Sequence, residues 1–229
     1  MAIVTKVMVV RHCEAEGNIN RVFQGHTNAA VSTNGRKQLD LLQIRCRNLP
    51  IDIIYTSPLQ RAYATAEAIN EFHQVPIRVC DDLIEINGGV WEGKKWADLP
   101  GLYPEDARKW NMEPENFAPA QGEPMRQVYE RMSRALLGIV QENLGKSICI
   151  TSHGCAIRNL LCWAMGKPIE LLNTVDWCDN TALSMLEFDE NLHPRVVTAN
   201  DGSHLNPEIS TFSKQSWWKP ENRTKATFD

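Results

Sequence analysis

The sequence has no long unbroken apolar run, no block of basic residues, no internal repeat and no Cys-x-x-Cys pair. Each absence excludes a class of function. A membrane-spanning helix needs about 18 or more consecutive apolar residues, and none is present. The apolar N-terminal stretch is interrupted by Lys6 and Arg11, too short and too broken for a signal peptide. A net charge of −4 without a basic stripe argues against a general nucleic-acid binder. The seven cysteines, at 13, 46, 80, 149, 155, 162 and 178, are odd in number, scattered and without zinc spacing. Reduced thiols in a cytoplasmic protein are the simplest expectation. Asn222-Arg223-Thr224 has the form of a glycosylation sequon, but no secretory signal accompanies it. What is there is an ordinary globular composition, 43% hydrophobic and 23% charged over 229 residues. That is enough for one substantial core with an inserted cap.

Residues 3–10 form a nearly unbroken, β-branched apolar run and read as a buried strand. Ser32 or Thr33 caps a helix to about Arg47, with Leu39, Leu42 and Cys46 on one face. Ile51–Tyr55 reads as a second strand. Thr56-Ser57-Pro58 opens a helix from Leu59 to about Phe72, with Pro58 in a tolerated first-turn position. A short strand at Ile77–Val79 leads past Leu83-Ile84-Glu85 into a glycine-rich turn region, Gly88–Gly93. Residues 94–122 lack a clear period, carry prolines at 100, 104, 114 and 119, and read as an irregular or partly helical cap. Helical spacing resumes over Glu123–Asn143. A strand at 147–151, a helix from about Cys155 to Met165 and a strand near Ala182–Phe188 follow. From about residue 202 a polar tail runs to Trp217-Trp218 and a charged end, with three expectations left open: that it docks on the domain, covers the pocket or meets a partner chain. Strands alternating with helices imply an α/β fold, a three-layer α/β/α sandwich with a mostly parallel central sheet, as one domain over 1–229.

In such a sheet the strand C-terminal ends share one edge, where ligands collect. Arg11 and His12 end the first strand there, Ser57 follows the second, and Ser152-His153-Gly154 follows the strand at 147–151. Arg11 and Arg61 are permanently charged and each can grip a phosphate through two oxygens. Arg61 lies near a helix start, and the segment after Gly154 offers another; both favour an anion. His12 and His153 titrate near neutral pH, so each can act as a neutral nucleophile or a cationic stabiliser. Glu85 supplies a carboxylate beside the glycine turn. Together these groups amount to a phosphate cradle, a nucleophile and an acid.

The same residues carry a family resemblance. Val9-Val10-Arg11-His12-Cys13-Glu14-Ala15-Glu16-Gly17-Asn18 resembles the signature of the histidine phosphatase superfamily, the phosphoglycerate mutase-like enzymes. Four further segments fit in order: Phe23-Gln24-Gly25 with Val31–Gly35, Thr56–Ala62 with Thr65-Ala66, Leu83-Ile84-Glu85 with Gly88–Gly93, and Thr151-Ser152-His153-Gly154. The resemblance implies His12 as the nucleophile, forming a phosphohistidine. It implies Arg11, Arg61 and His153 as binders of the transferring phosphoryl group, and Glu85 as the acid that protonates the leaving alcohol and then activates water. By the same match Asn18, Gln24 and Gly25 are substrate-binding positions. No metal or cofactor is implied, because cationic side chains do that work. Cys13 departs from the family, which has glycine directly after the nucleophile. A Cβ there adds strain if the backbone needs φ > 0, and a thiol beside Arg11 is expected to have a lowered pKa and be open to oxidation.

The favoured activity is hydrolysis of a small phosphorylated metabolite, a phosphomonoester, through phosphohistidine. A phosphoglycerate mutase uses the same cradle. Residues 94–126 carry five basic residues (Lys94, Lys95, Arg108, Lys109, Arg126) against six acidic ones (Asp98, Glu105, Asp106, Glu113, Glu115, Glu123), which does not favour a highly charged substrate. Arg108-Lys109 is the pair that keeps the mutase open. A non-catalytic relative that binds phosphorylated ligands rests on Cys13 alone. Taken singly, His12, His153 and Arg61 are as well explained as structural, strand-end or solvated residues; their joint occurrence decides otherwise. Glu85 is preferred to the nearby Glu92 by motif position. His26, His73 and His193 are expected to be structural or exposed. His204 follows the last expected strand, within approach of the site. Trp91, Trp96 and Trp110 are expected to pack rather than stack on substrate. No partner nucleic acid or membrane is expected, and the assembly is left open, a homodimer included.

Overall fold

A computed structural model describes residues 4–219; the sequon at 222–224 and the end of the expected tail lie outside them. The strands are β1 Thr5–Arg11, β2 Ile53–Thr56, β3 Ile77–Val79, β4 Ser147–Ser152, β5 Leu183–Phe188 and β6 Pro194–Asp201. The helices are α1 Glu16–Ile19, α2 Thr33–Cys46, α3 Gln60–Asn70, α4 Leu99–Leu102, α5 Pro104–Met112, α6 Met125–Glu142 and α7 Gly154–Ala164. The sheet order is β3-β2-β4-β1-β5-β6. The first four strands are mutually parallel, β5 is antiparallel to β1, and β6 is antiparallel to β5.

Alternate side chains of the apolar strands enter opposite faces of this sheet, as the pleat requires. Val7 and Val9 of β1, Ile53 of β2 and Ile148 and Ile150 of β4 share one core with Val128, Met132 and Leu136 of α6 and Ile157 and Leu160 of α7. Met8, Val10, Ile54 and Cys149 share the other with Leu42 and Cys46 of α2 and Ala66 and Ile69 of α3. Helices on both faces make the three layers. Ser32 caps α2, its Oγ accepting from Gly35 N–H at 2.8 Å.

Two expectations need correction. The helix after β2 begins at Gln60 with Leu59 as its cap, so Pro58 precedes the helix rather than occupying its first turn. The expected strand list also stops one strand short: β6 forms an antiparallel edge whose side chains are mostly exposed or half-buried. Among the described residues no helix is long and apolar enough to cross a membrane.

Candidate active site

The parallel register places Arg11 opposite Ser152, so the ends of β1 and β4 are level. His12 follows directly. Its N–H donates to the Ser152 carbonyl at 2.9 Å, and Asn180 Nδ2 donates to the His12 carbonyl at 2.9 Å, which fixes the backbone from both sides. The ring Nδ1 lies 2.6 Å from the Cys13 carbonyl. A carbonyl only accepts, so Nδ1 carries the proton and Nε2 bears the free lone pair. Burial, Arg61 and Arg11 together hold the His12 pKa well below its ordinary 6.5, so the imidazole is neutral at physiological pH.

Arg61, second residue of α3, is fully buried. It donates through Nη1 to Thr27 O at 2.8 Å and through Nη2 to Gly25 O at 2.9 Å. Burial lowers its pKa to about 10. Arg11 Nη1 donates to Cys178 O at 2.6 Å. His153, the cap residue of α7, shares a 2.7 Å hydrogen bond between its Nε2 and Ser57 Oγ, and its ring centroid lies 5.1 Å from that of His12. Burial and the Arg61 charge lower the His153 pKa well below 6.5. Among the described residues, Arg11 Nε, Arg61 Nε and the ring nitrogen His153 Nδ1 are buried without a hydrogen-bond partner. Buried polar groups are normally satisfied; two guanidinium N–H donors left over beside one imidazole are suited to an anion.

Glu85 sits where the start of α7 was expected to hold an anion. Its carboxyl group occupies that place: Oε1 accepts from Ile86 N–H and Ala156 N–H, both at 2.9 Å, and Oε2 from Cys155 N–H at 3.0 Å. The chain leading to it is clamped. Arg131 of α6 donates from Nη1 to the Asp82 and Ile84 carbonyls, both at 2.8 Å, and pairs with Glu123 at 2.6 Å. Ser152 Oγ donates to Leu83 O at 2.7 Å.

Glu92 has a different place. It accepts from the N–H groups of Gly25, His26, Thr27 and Gly88 and from the Thr27 hydroxyl. Burial opposes its charge, yet these bonds prevail and hold its pKa below the usual value. Its Oε1 would stand 2.1 Å from a Cβ on Gly25, so the loop closes only around glycine. Gly25 thus bears on the site through its carbonyl on Arg61.

Arg11, His12, Asn18, Gln24 and Glu85 line one pocket. Arg61 and His153, both fully buried, and Gly25 stand behind that wall, outside the lining. Asn18 Oδ1 accepts from Ala15 N–H at 2.9 Å, which leaves its amide N–H₂ as the available end. Gln24 folds across Gly17, where a Cβ would meet it at 2.1 Å. The remaining lining includes residues that sequence reasoning did not select, namely Arg21, Arg158, Trp177 and Gln215, and also Trp217, as one of the readings of the tail allowed. Of the tryptophans expected to pack, Trp91 is fully buried, whereas Trp96 and Trp110 pack together and also face the pocket.

Other expectations are settled by position. Arg108 pairs with Glu105 and Glu113, and Lys109 with Glu105; neither basic residue lines the pocket. His26 donates from Nε2 to the Glu85 carbonyl at 3.0 Å. His204 contacts Thr181 Oγ1 at 3.1 Å and stays off the pocket. His73 meets the Cys46 carbonyl and His193 pairs with Asp189, both away from the site. Cys13 corrects both expectations made of it. Its φ is not positive, so its Cβ adds no left-handed strain. It is buried and its pKa is raised to about 11, chiefly by burial, which opposes oxidation. Among the described residues no group of three or more His, Cys, Asp or Glu is placed to hold a metal ion.

Comparison with known proteins agrees with this arrangement. The family model for the histidine phosphatase superfamily (branch 1) matches residues 7–202. Phosphoserine phosphatase 1 of Hydrogenobacter thermophilus is 31% identical over 200 residues, covering 87% of this chain and 94% of that protein. Among solved structures, Bacillus stearothermophilus YhfR superposes with a TM-score of 0.84 at 28% identity, covering 88% of this chain and 100% of that one. The phosphoserine phosphatase of Entamoeba histolytica, solved with 3-phosphoglyceric acid, superposes with a TM-score of 0.79 at 26% identity, over 88% and 100% of the two chains.

Proposed function

Because the chain belongs to the histidine phosphatase superfamily, branch 1, we propose that it hydrolyses small-molecule phosphomonoesters through a phosphohistidine formed on His12. The observation that carries this is the 2.6 Å bond from His12 Nδ1–H to the Cys13 carbonyl, which leaves Nε2 unprotonated on a ring that lines the pocket together with Arg11. The Nε2 lone pair forms the N–P bond while the bond from phosphorus to the leaving oxygen breaks. Arg11 and Arg61 supply fixed positive charge and donors for the equatorial oxygens, where charge develops, and the neutral His153 ring lies beside them.

Glu85 protonates the leaving oxygen. Its Oε2 accepts only one backbone N–H and so keeps a position for that proton. In the second half the carboxylate takes a proton from water, the water oxygen attacks phosphorus, the N–P bond breaks and phosphate leaves. Splitting one displacement into two is the gain from a covalent intermediate, and a placed acid contributes roughly 10²–10⁴-fold. Asn18 and Gln24 add amide contacts at the pocket wall. All seven cysteines are free thiols, which supports a cytoplasmic setting.

The test is alkaline quenching during turnover of p-nitrophenyl phosphate, followed by peptide mass spectrometry. One phosphoryl group on His12 is the expected result, and His12→Ala lowers kcat/KM by at least about a thousandfold. Full activity in His12→Ala would overturn the assignment.

A further inference from the structure

The part of the pocket beyond His12 and Glu85 is walled by four indoles in series. Trp96 and Trp110 of the cap region are 5.6 Å apart between ring centroids, Trp110 and Trp177 are stacked at 6.2 Å and 25°, and Trp177 and Trp217 meet edge-on at 5.3 Å. All four line the pocket. The last is contributed by the C-terminal segment, which is anchored to the domain. Asn34 and Gln38 donate to Ile209 O at 2.9 and 3.0 Å, and Thr211 Oγ1 to Glu14 at 3.0 Å. Gln215 then donates to the Asn18 carbonyl at 3.2 Å and accepts from Trp217 Nε1 at 2.5 Å. Trp217 is therefore held over the pocket by the residue next to the phosphate wall.

The lining offers an ammonium little to pair with. Among the described residues, Glu85 is the sole carboxylate of the lining, and its oxygens are engaged by three backbone N–H groups. Arg21 and Arg158 also line the pocket, the latter with its guanidinium 4.5 Å above the Trp177 ring. An alcohol bearing an ammonium would lose its hydration there and find in the lining no carboxylate besides Glu85. A flat apolar group would instead gain contact with indole faces and edges.

Resting on the phosphatase reading above, we propose that the indole wall selects phosphomonoesters whose leaving group is flat and apolar and carries no ammonium, with Trp217 of the C-terminal segment as a specificity-determining residue. The test compares 2-phenylethyl phosphate with phosphoethanolamine, both esters of primary alcohols, so that intrinsic reactivity does not decide the outcome. The wild-type ratio of kcat/KM, aryl over amine, is expected to be about thirtyfold or more, in the range one pocket contact and one misplaced charge supply. Trp217→Ala lowers that ratio about tenfold, mainly through a higher KM for the aryl ester, and Trp217→Phe holds it within about threefold.

Turnover of both esters with a ratio near one, or an unchanged ratio in Trp217→Ala, overturns the inference and leaves the phosphatase reading standing. If neither these esters nor p-nitrophenyl phosphate turns over, that reading fails. Calorimetric binding of 2-phenylethylphosphonate against 2-aminoethylphosphonate then decides the selectivity separately: preference for the first sustains it, and equal affinity overturns it.

Discussion

His12 and Cys13 are neighbours with opposite chemical fates, and the difference lies in what each buried side chain meets. The imidazole gives its one proton to a carbonyl and keeps a lone pair at the pocket wall. The thiol lies between Thr65 and the Arg61 carbonyl, away from the lining, and burial pushes its pKa to about 11. At neutral pH almost none of it is the reactive thiolate. Native protein treated with iodoacetamide or dilute peroxide is therefore expected to keep its p-nitrophenyl phosphate activity within about twofold. Peptide mapping should find the first adduct on Cys80, the one cysteine that is not buried. Modification of Cys13 in step with loss of activity would refute this account.

Helix α6 works on the site without touching it. Its apolar stripe seats it on the sheet, and Arg131, within that stripe, turns its guanidinium to the chain that carries Glu85. Arg131→Met removes a clamp on two carbonyls and leaves the half-buried Glu123 without its cation. Breaking a fully buried pair costs about 3 kcal/mol or more and a half-buried one less, so the melting temperature should drop. Well below the new melting point, kcat should fall more than KM rises, because what is lost is the placement of the acid. Equal kcat in the variant would show that Arg131 serves stability alone. This residue was not legible in the sequence, where one arginine on an amphipathic helix resembles any solvated one; its position three before Arg134 and three after Val128 was the available signal. The parallel strands were legible because both of their faces are buried, which writes a continuous apolar run. β6 was not, since an edge strand with exposed side chains writes no such run. The order of motifs exposed Arg11, His12, Arg61, Glu85 and His153. The pocket-lining Trp177 stayed hidden and Trp217 was legible only as one of three open readings of the tail, because loop and tail aromatics have no period and find their place only through tertiary docking.

Taken as a whole, the molecule folds around uncharged imidazoles, and this ties its stability to pH. His12 and His153 have pKa values well below 6.5, each chiefly through burial, and burial lowers that of His204 to about 4. In the unfolded chain all three titrate near 6.5. Between that value and each folded pKa the unfolded chain binds more protons, so acid drives unfolding. The stability these groups permit is fully present above about pH 6.5 and is lost as pH falls toward the folded values. The limiting slope is about 1.4 kcal/mol per pH unit for each histidine. Carboxylates with lowered pKa, such as Glu92, add their own loss only further down, near their unfolded value of about 4.3. Differential scanning calorimetry should accordingly give a level melting temperature from about pH 8 to 7 and a steady fall from about 6.5 to 5. His204→Gln, outside the pocket, removes one titrating ring and should make that fall shallower while the plateau above pH 7 moves less. A melting temperature flat between pH 7 and 5 would mean that these rings accept protons in the folded state. It would then also remove the neutral His12 on which the nucleophile depends.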